Sequence, residues 1–138
     1  MILLDTDTLS LYFNNHLCVV RRLDSAQENP VISLVSRIEV LQGRFASILK
    51  AADSEELIRF QERLFTTEHG LTRFAIVPFD NAAAREFDRL RGNKKVGKIG
   101  RKDLLIACIA LANQAILVMR NVKDFQLVPG LHLANWAD

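Results

Sequence analysis

Sixteen acids are spread over 138 residues, and four of them sit where a carboxylate is costly to place. Asp5 follows the apolar run Ile2-Leu3-Leu4, and Glu39 lies between Ile38 and Val40. Asp103 opens the most hydrophobic segment of the chain, and Asp124 follows the run Ile116 to Met119 by a few residues. A carboxylate taken from water costs desolvation free energy unless a metal or a hydrogen-bond donor balances it, and an unpaired one raises its own pKa. Several such acids converging on one place make sense if a divalent cation neutralises them. Oxygen donors without histidine or cysteine favour hard ions, Mg²⁺ or Mn²⁺. Such ions lower the pKa of bound water and stabilise charge on a transferring phosphoryl group. The three histidines (His16, His69, His132) share no ligand-like spacing, so imidazole chemistry is not expected.

The second chemical feature is cationic. Arg89, Arg91, Lys94, Lys95, Lys98, Arg101 and Lys102 fall within fourteen residues that hold no acid. They are 7 of the 18 basic residues, which leaves 11 bases against 16 acids elsewhere. A net charge of +2 therefore hides a basic patch on an acidic body, an asymmetry that points to a polyanionic partner. These seven residues, with Arg120, are the candidate RNA contacts, since phosphates need cations near the reacting bond. The bland alternative for the run is a solvated loop. Arg120 either clamps a phosphate or pairs with the acids.

The elements that must carry these residues follow from apolar spacing. Ile2 to Leu4 suits a strand buried on both faces of a parallel sheet, with Asp5 at its carboxyl end. In open α/β sheets ligands bind at that edge, where strand order reverses. Short helices are expected over Thr8 to Phe13 and His16 to Gln27, then a strand at Val31-Ile32-Ser33. Ser36 is placed to cap a helix from about Arg37 to Lys50, with Glu39 as its capping-box partner and Ile38, Leu41, Phe45 and Leu49 as its buried stripe. A charged helix from Asp53 or Ser54 to about Glu68 carries Leu57, Phe60, Leu64 and Phe65, read as core with room for an oligomer surface, and His69-Gly70 closes it. Phe74 to Phe79 reads as a strand, Asp80 to Leu90 as a helix and Lys102 to Asn113 as a buried helix. Ile116 to Met119 is the next strand, Lys123-Asp124-Phe125 a turn and Leu131 to Leu133 a last strand. Alternating strands and helices predict a single domain over residues 1–138. Its class is a three-layer α/β/α sandwich with a mainly parallel sheet.

Composition agrees with a soluble, cytoplasmic protein: 49% hydrophobic and 25% charged. The longest apolar stretch, Leu104 to Ala112, is far short of a membrane span. Strand residues begin almost at Met1, so no secretory signal is expected. Cys18 and Cys108 lie far apart among apolar neighbours and read as small core residues of a reduced protein.

The segments MILLDTDTLS, VISLVSRIEVLQGR, GKIGRKDLLIACIALANQAILVMRNVKDF and VPGLHLANW together resemble the PIN-domain family. Within it they are most similar to the VapC-type toxin ribonucleases of bacterial toxin–antitoxin operons. The resemblance runs from end to end. It implies Mg²⁺- or Mn²⁺-dependent endoribonuclease activity, a cognate antitoxin that blocks the site, and a homodimer. On the family pattern Asp5, Glu39 and Asp103 match the three principal metal-binding acids. A fourth position varies: Asn121 stands where some relatives carry an acid, and Asp124 matches the place used by others. Thr6, Asp7 and Asn121 would support the acids from behind. Two departures stand out. Met119 replaces a threonine usual at the strand end, and Asp7 replaces a common asparagine.

Blander roles remain open for each acid. Asp5 could cap the following helix, Glu39 could only complete the box with Ser36, Asp103 could complement a helix dipole, and Asp124 could be a turn residue. Rival functions are also open. Asp5-Thr6-Asp7-Thr8 fits the first four places of a haloacid-dehalogenase-like phosphatase signature, with Asp5 as nucleophile, but Leu9 fails the fifth. A receiver-type binding module would use Asp80 as phospho-acceptor, yet has Arg120 where it needs a lysine. A PIN scaffold that binds RNA or protein without cutting is kept open by Met119 and Asn121.

Overall fold

The computed structural model describes residues 1–138. Five strands form one sheet in the order β3-β2-β1-β4-β5: β1 (Ile2–Leu4), β2 (Val31–Ser33), β3 (Ile76–Val77), β4 (Ile116–Val118) and β5 (His132–Ala134). Every pairing is parallel. The chain runs from β1 outward to β3, then crosses back to β4 on the other side of β1. The switch point therefore lies between β1 and β4, where Leu3 sits opposite Leu117 and Leu4 opposite Val118.

The period of two along a strand explains why these runs are apolar without a break. Leu3 and Leu117 face one core cluster, with Ile106, Ile109 and Phe125. Leu4 and Val118 face the other, with Leu9, Val19, Leu23 and Trp136. The helices are α1 (Thr6–Phe13), α2 (Leu17–Ser25), α3 (Leu34–Leu49), α4 (Ser54–Leu71), α5 (Asn81–Leu90), α6 (Arg101–Ala112) and α7 (Val122–Phe125), with a 3₁₀ turn at Val96–Lys98. The expected three-layer architecture is what the chain adopts. No helix is long and apolar enough to cross a membrane.

Several local expectations are corrected. Helix α3 starts at Leu34, directly after β2, with Ser33 as its cap accepting the Ser36 N–H at 3.0 Å. Ser36 is thus inside the helix, and Glu39 is no capping-box partner. The third strand is only Ile76–Val77. Helix α4 continues through His69-Gly70 to Leu71. Gly70 is there for close approach, since a Cβ would stand 2.6 Å from Phe13 Cε1. Asp124 lies on a short helix, not a bare turn. Cys18 is exposed, and only Cys108 is core.

The stripe of α3 is largely exposed: Ile38, Phe45 and Leu49 are 43%, 48% and 86% exposed, and only Leu41 packs against the core. On α4 Leu57 and Phe65 are 43% and 58% exposed, whereas Leu64 is buried. Geometry explains this. A helix of 16 residues is ~24 Å long, whereas strands of three residues reach only ~10 Å. The sheet covers the start of α3, and the rest projects with α4 packed beside it.

Candidate active site

Asp5 ends β1 and caps α1. Its backbone N–H donates to the Val118 carbonyl at 2.9 Å, and its Oδ1 accepts the Thr8 N–H at 2.8 Å. Thr8 Oγ1 also donates to the Val118 carbonyl, so β1, α1 and β4 are tied together at the switch point. The capping role and a role in chemistry are compatible, because the cap uses one carboxylate oxygen. Only 2% of Asp5 is exposed. Burial pushes its carboxyl up to about 7; the Thr8 hydrogen bonds oppose this, and the charges of Asp7 and Asp103 add to it.

Glu39 reaches the same edge from the second turn of α3. Thr6 Oγ1 donates to its Oε1 at 2.7 Å and lies 2.9 Å from Ser36 Oγ. Its other oxygen is 3.8 Å from Lys102 Nζ. Asp103 stands in the first turn of α6. Burial raises its pKa, and the charges of Asp7, Glu39 and Asp124 raise it further. Asp124 accepts the Asn121 side-chain N–H at 2.8 Å. Four separated parts of the chain thus bring Asp5, Glu39, Asp103 and Asp124 to one rim, with Thr6, Asp7 and Asn121 among them. Thr6, Asp7, Glu39, Gly100, Arg101, Lys102 and Asp103 line an open cleft of about 450 Å³ with no hydrophobic wall residue. Asp5 is buried next to Thr6 and Asp7 and is not on the wall itself.

Thr8, Ser33 and Ser36 are the supporting residues that sequence reasoning missed in these roles. A hydroxyl three places after a strand-end Asp, and a serine directly after a strand, were the available signals. Met119 is 2% exposed and packs in the core cluster with Phe125.

The predicted cations divide into groups. Arg101 and Lys102 are on the cleft wall. Arg89 pairs with Glu86 at 2.6 Å, and Arg120 pairs with Asp138 at 3.8 Å and with none of the four acids. Arg91 and Arg101 lie over the Phe87 ring at 5.8 and 5.4 Å. Lys94, Lys95 and Lys98 are exposed and make no ion pair.

Residues 2–131 match the family model described as the PIN domain. The chain belongs to the PIN-domain family. Similar PIN-domain proteins include Ribonuclease VapC1 of Haemophilus influenzae (strain R2866), 28% identical over 138 residues that cover 97% of this chain and 96% of the relative. Ribonuclease VapC2 of Rickettsia felis is 40% identical over 68 residues, 48% of this chain and 51% of that protein. Among solved structures, the VapBC2 complex of Rickettsia felis bound to a fragment of promoter DNA has a chain superposing with a TM-score of 0.78. It is 30% identical, with 99% of both chains covered.

Membership removes the phosphatase and receiver alternatives. Asp80, the receiver's acceptor, is in any case the cap of α5 and holds the Ala83 N–H at 3.0 Å. The donor set of this PIN domain suits a hard divalent ion: carboxylates only, one of them buried with a raised pKa. No three of the acids already stand at metal-holding distance. Each of three has a partner of its own: Thr8 bonds Asp5, Thr6 and Lys102 contact Glu39, and Asn121 bonds Asp124.

Proposed function

We propose that this PIN domain is an endoribonuclease, the toxin of a toxin–antitoxin pair, whose cleft hydrolyses RNA phosphodiester bonds with Mg²⁺ or Mn²⁺. The observation that carries the reading is the meeting of Asp5, Glu39 and Asp103 at the β1/β4 switch point beside a polar, open cleft. Asp5, Glu39 and Asp103 would hold the ion, with Asp124 completing the acidic rim. A bound divalent ion supplies an activated water and neutralises charge on the phosphoryl oxygens.

The chain's own residues do the rest. Thr6 orients Glu39 through its hydroxyl. Lys102 balances the charge of Glu39 at 3.8 Å, and its exposed ammonium is placed to meet a phosphate. Arg101 on the same wall is steadied by Phe87. An open cleft with no hydrophobic wall suits a polymer lying across it better than a small molecule to be enclosed.

The relatives named above act as ribonucleases or are solved as complexes with an antitoxin, and this supports an antitoxin as the cleft's inhibitor here. The exposed apolar stripe on α3 and α4 suits a second copy of the chain, making a cytoplasmic homodimer. The test uses purified protein and a panel of structured RNAs, with Mn²⁺ or with chelator. Cleavage should stop with chelator and in Asp5→Asn, Glu39→Gln and Asp103→Asn. Cleavage that survives chelation would overturn the metal mechanism.

A further inference from the structure

Most of the cations in the basic segment already have partners: Arg89 has Glu86, Lys102 has Glu39, and Arg91 and Arg101 share Phe87. Lys94 and Lys95 have none. They line a second open depression of about 550 Å³, with Asn93, Gln126, Leu127 and Pro129. The wall holds two ammonium groups and two side-chain amides, and no acid.

The backbone beneath the lysines is fixed, unlike that of an ordinary basic loop. Asn93 Oδ1 accepts the Lys95 and Val96 N–H groups at 3.0 and 3.4 Å. Val96 and Ile99 are 1% and 6% exposed in the same core cluster as Ile106 and Phe125. Holding the lysines on a pinned turn lowers the entropy lost when a ligand binds. The opposite wall begins two residues after Asp124, so Gln126 lies within ~7 Å of that acid along the chain. Gln126 is the C-terminal cap of α7, the short helix that carries Asp124, so one element serves both the acidic rim and this depression.

We infer that Lys94, Lys95 and Gln126 form a second phosphate-binding subsite that holds the RNA strand beyond the scissile bond. This rests on the endoribonuclease reading and adds where the polymer goes on leaving the cleft. Lysines supply point charges to phosphate oxygens, and the Gln126 amide can donate to a phosphate or a 2′-hydroxyl. The subsite reads backbone, so it sets substrate length and salt dependence more than sequence.

The experiment compares a long RNA with an oligonucleotide of a few residues centred on the same cut. Lys94→Ala/Lys95→Ala should raise KM for the long RNA about tenfold with kcat unchanged, and leave the short substrate unaffected. For two lost single-strand phosphate contacts, the slope of log K against log salt should flatten by about 1.4. Arg21→Ala/Lys50→Ala, which removes the same charge from exposed positions elsewhere, should behave as wild type. Equal weakening in both double variants would mean only net charge matters, and overturns the subsite. So does an unchanged KM in the lysine variant, or loss of antitoxin binding with RNA binding intact. If wild type cuts no RNA, the function reading fails first; fluorescence anisotropy with Asp5→Asn protein then tests the depression independently, and equal RNA affinity with and without the lysines overturns it.

Discussion

At the carboxyl edge of the sheet Asp5 is 2% exposed, whereas Lys94, Lys95 and Lys98 stand in solvent on a turn pinned by Val96 and Ile99. Both regions are built from charged side chains, yet the fold handles them oppositely. The acids are carried in by elements whose other residues form the core, and burial and neighbouring acids disfavour the charged forms of Asp5 and Asp103. The cations are left in water, where each is screened and individually weak. Single changes should therefore matter greatly at the rim and little along the basic segment.

The largest effect is expected at Asp5. Asp5→Asn should lower RNA cleavage by at least about 10³-fold, as loss of a main charge-stabilising group does. The same change should stabilise the fold at alkaline pH. The folded-state pKa of about 7 lies above the ordinary 3.8, so the native state binds the extra proton between those values. Stability of the metal-free protein then falls as pH rises through that window and levels off above it. Asparagine keeps the cap, so the variant should match wild type near pH 4 and exceed it at pH 8 by on the order of 1–3 kcal/mol. Urea unfolding at the two pH values checks this; a variant less stable than wild type at pH 8 would show that burial of Asp5 is not a source of strain.

Metal should stabilise wild type by about 2.7 kcal/mol at a hundredfold excess over Kd. Thermal melts with Mn²⁺ should show the shift, and Asp5→Asn and Asp103→Asn should lose it. An equal shift in those variants would place the ion elsewhere. Next comes Thr6→Val, which removes the hydroxyl bonded to Glu39. Residues that orient a ligand are worth roughly 10–100-fold in metal affinity or activity, measurable by titration calorimetry with Mn²⁺. At the bottom of the scale, Arg89→Ala should change stability by less than about 0.5 kcal/mol, since its pair with Glu86 is half-exposed. A cost above that in denaturant titrations would mean the basic segment is held more tightly than its exposure suggests.

The two regions also differ in how far they could be read beforehand. Asp5, Glu39, Asp103 and Asp124 were legible because an acid inside an apolar pattern is locally anomalous, and the structure brings all four to one rim. The bases carried no such anomaly. A run of cations looks the same whether its members are paired, stacked or free, and Glu86, Phe87 and Asp138 decide which. Most of the α3 stripe expected in the core is exposed for a related reason. Periodicity shows that a helix has an apolar face, but not whether neighbours are long enough to cover it.

Order along the chain was enough to establish a parallel sheet and the layers around it, and to single out four acids as anomalous, because strand and helix periods and desolvation costs are local properties. The partners were settled only in three dimensions. Thr6 and Lys102 hold Glu39, Thr8 joins Asp5 to β4, and Lys94, Lys95 and Gln126 line one depression. Those contacts link residues about 30 to 110 positions apart, and no spacing rule along one strand or helix can anticipate which side chains will meet when two distant elements pack.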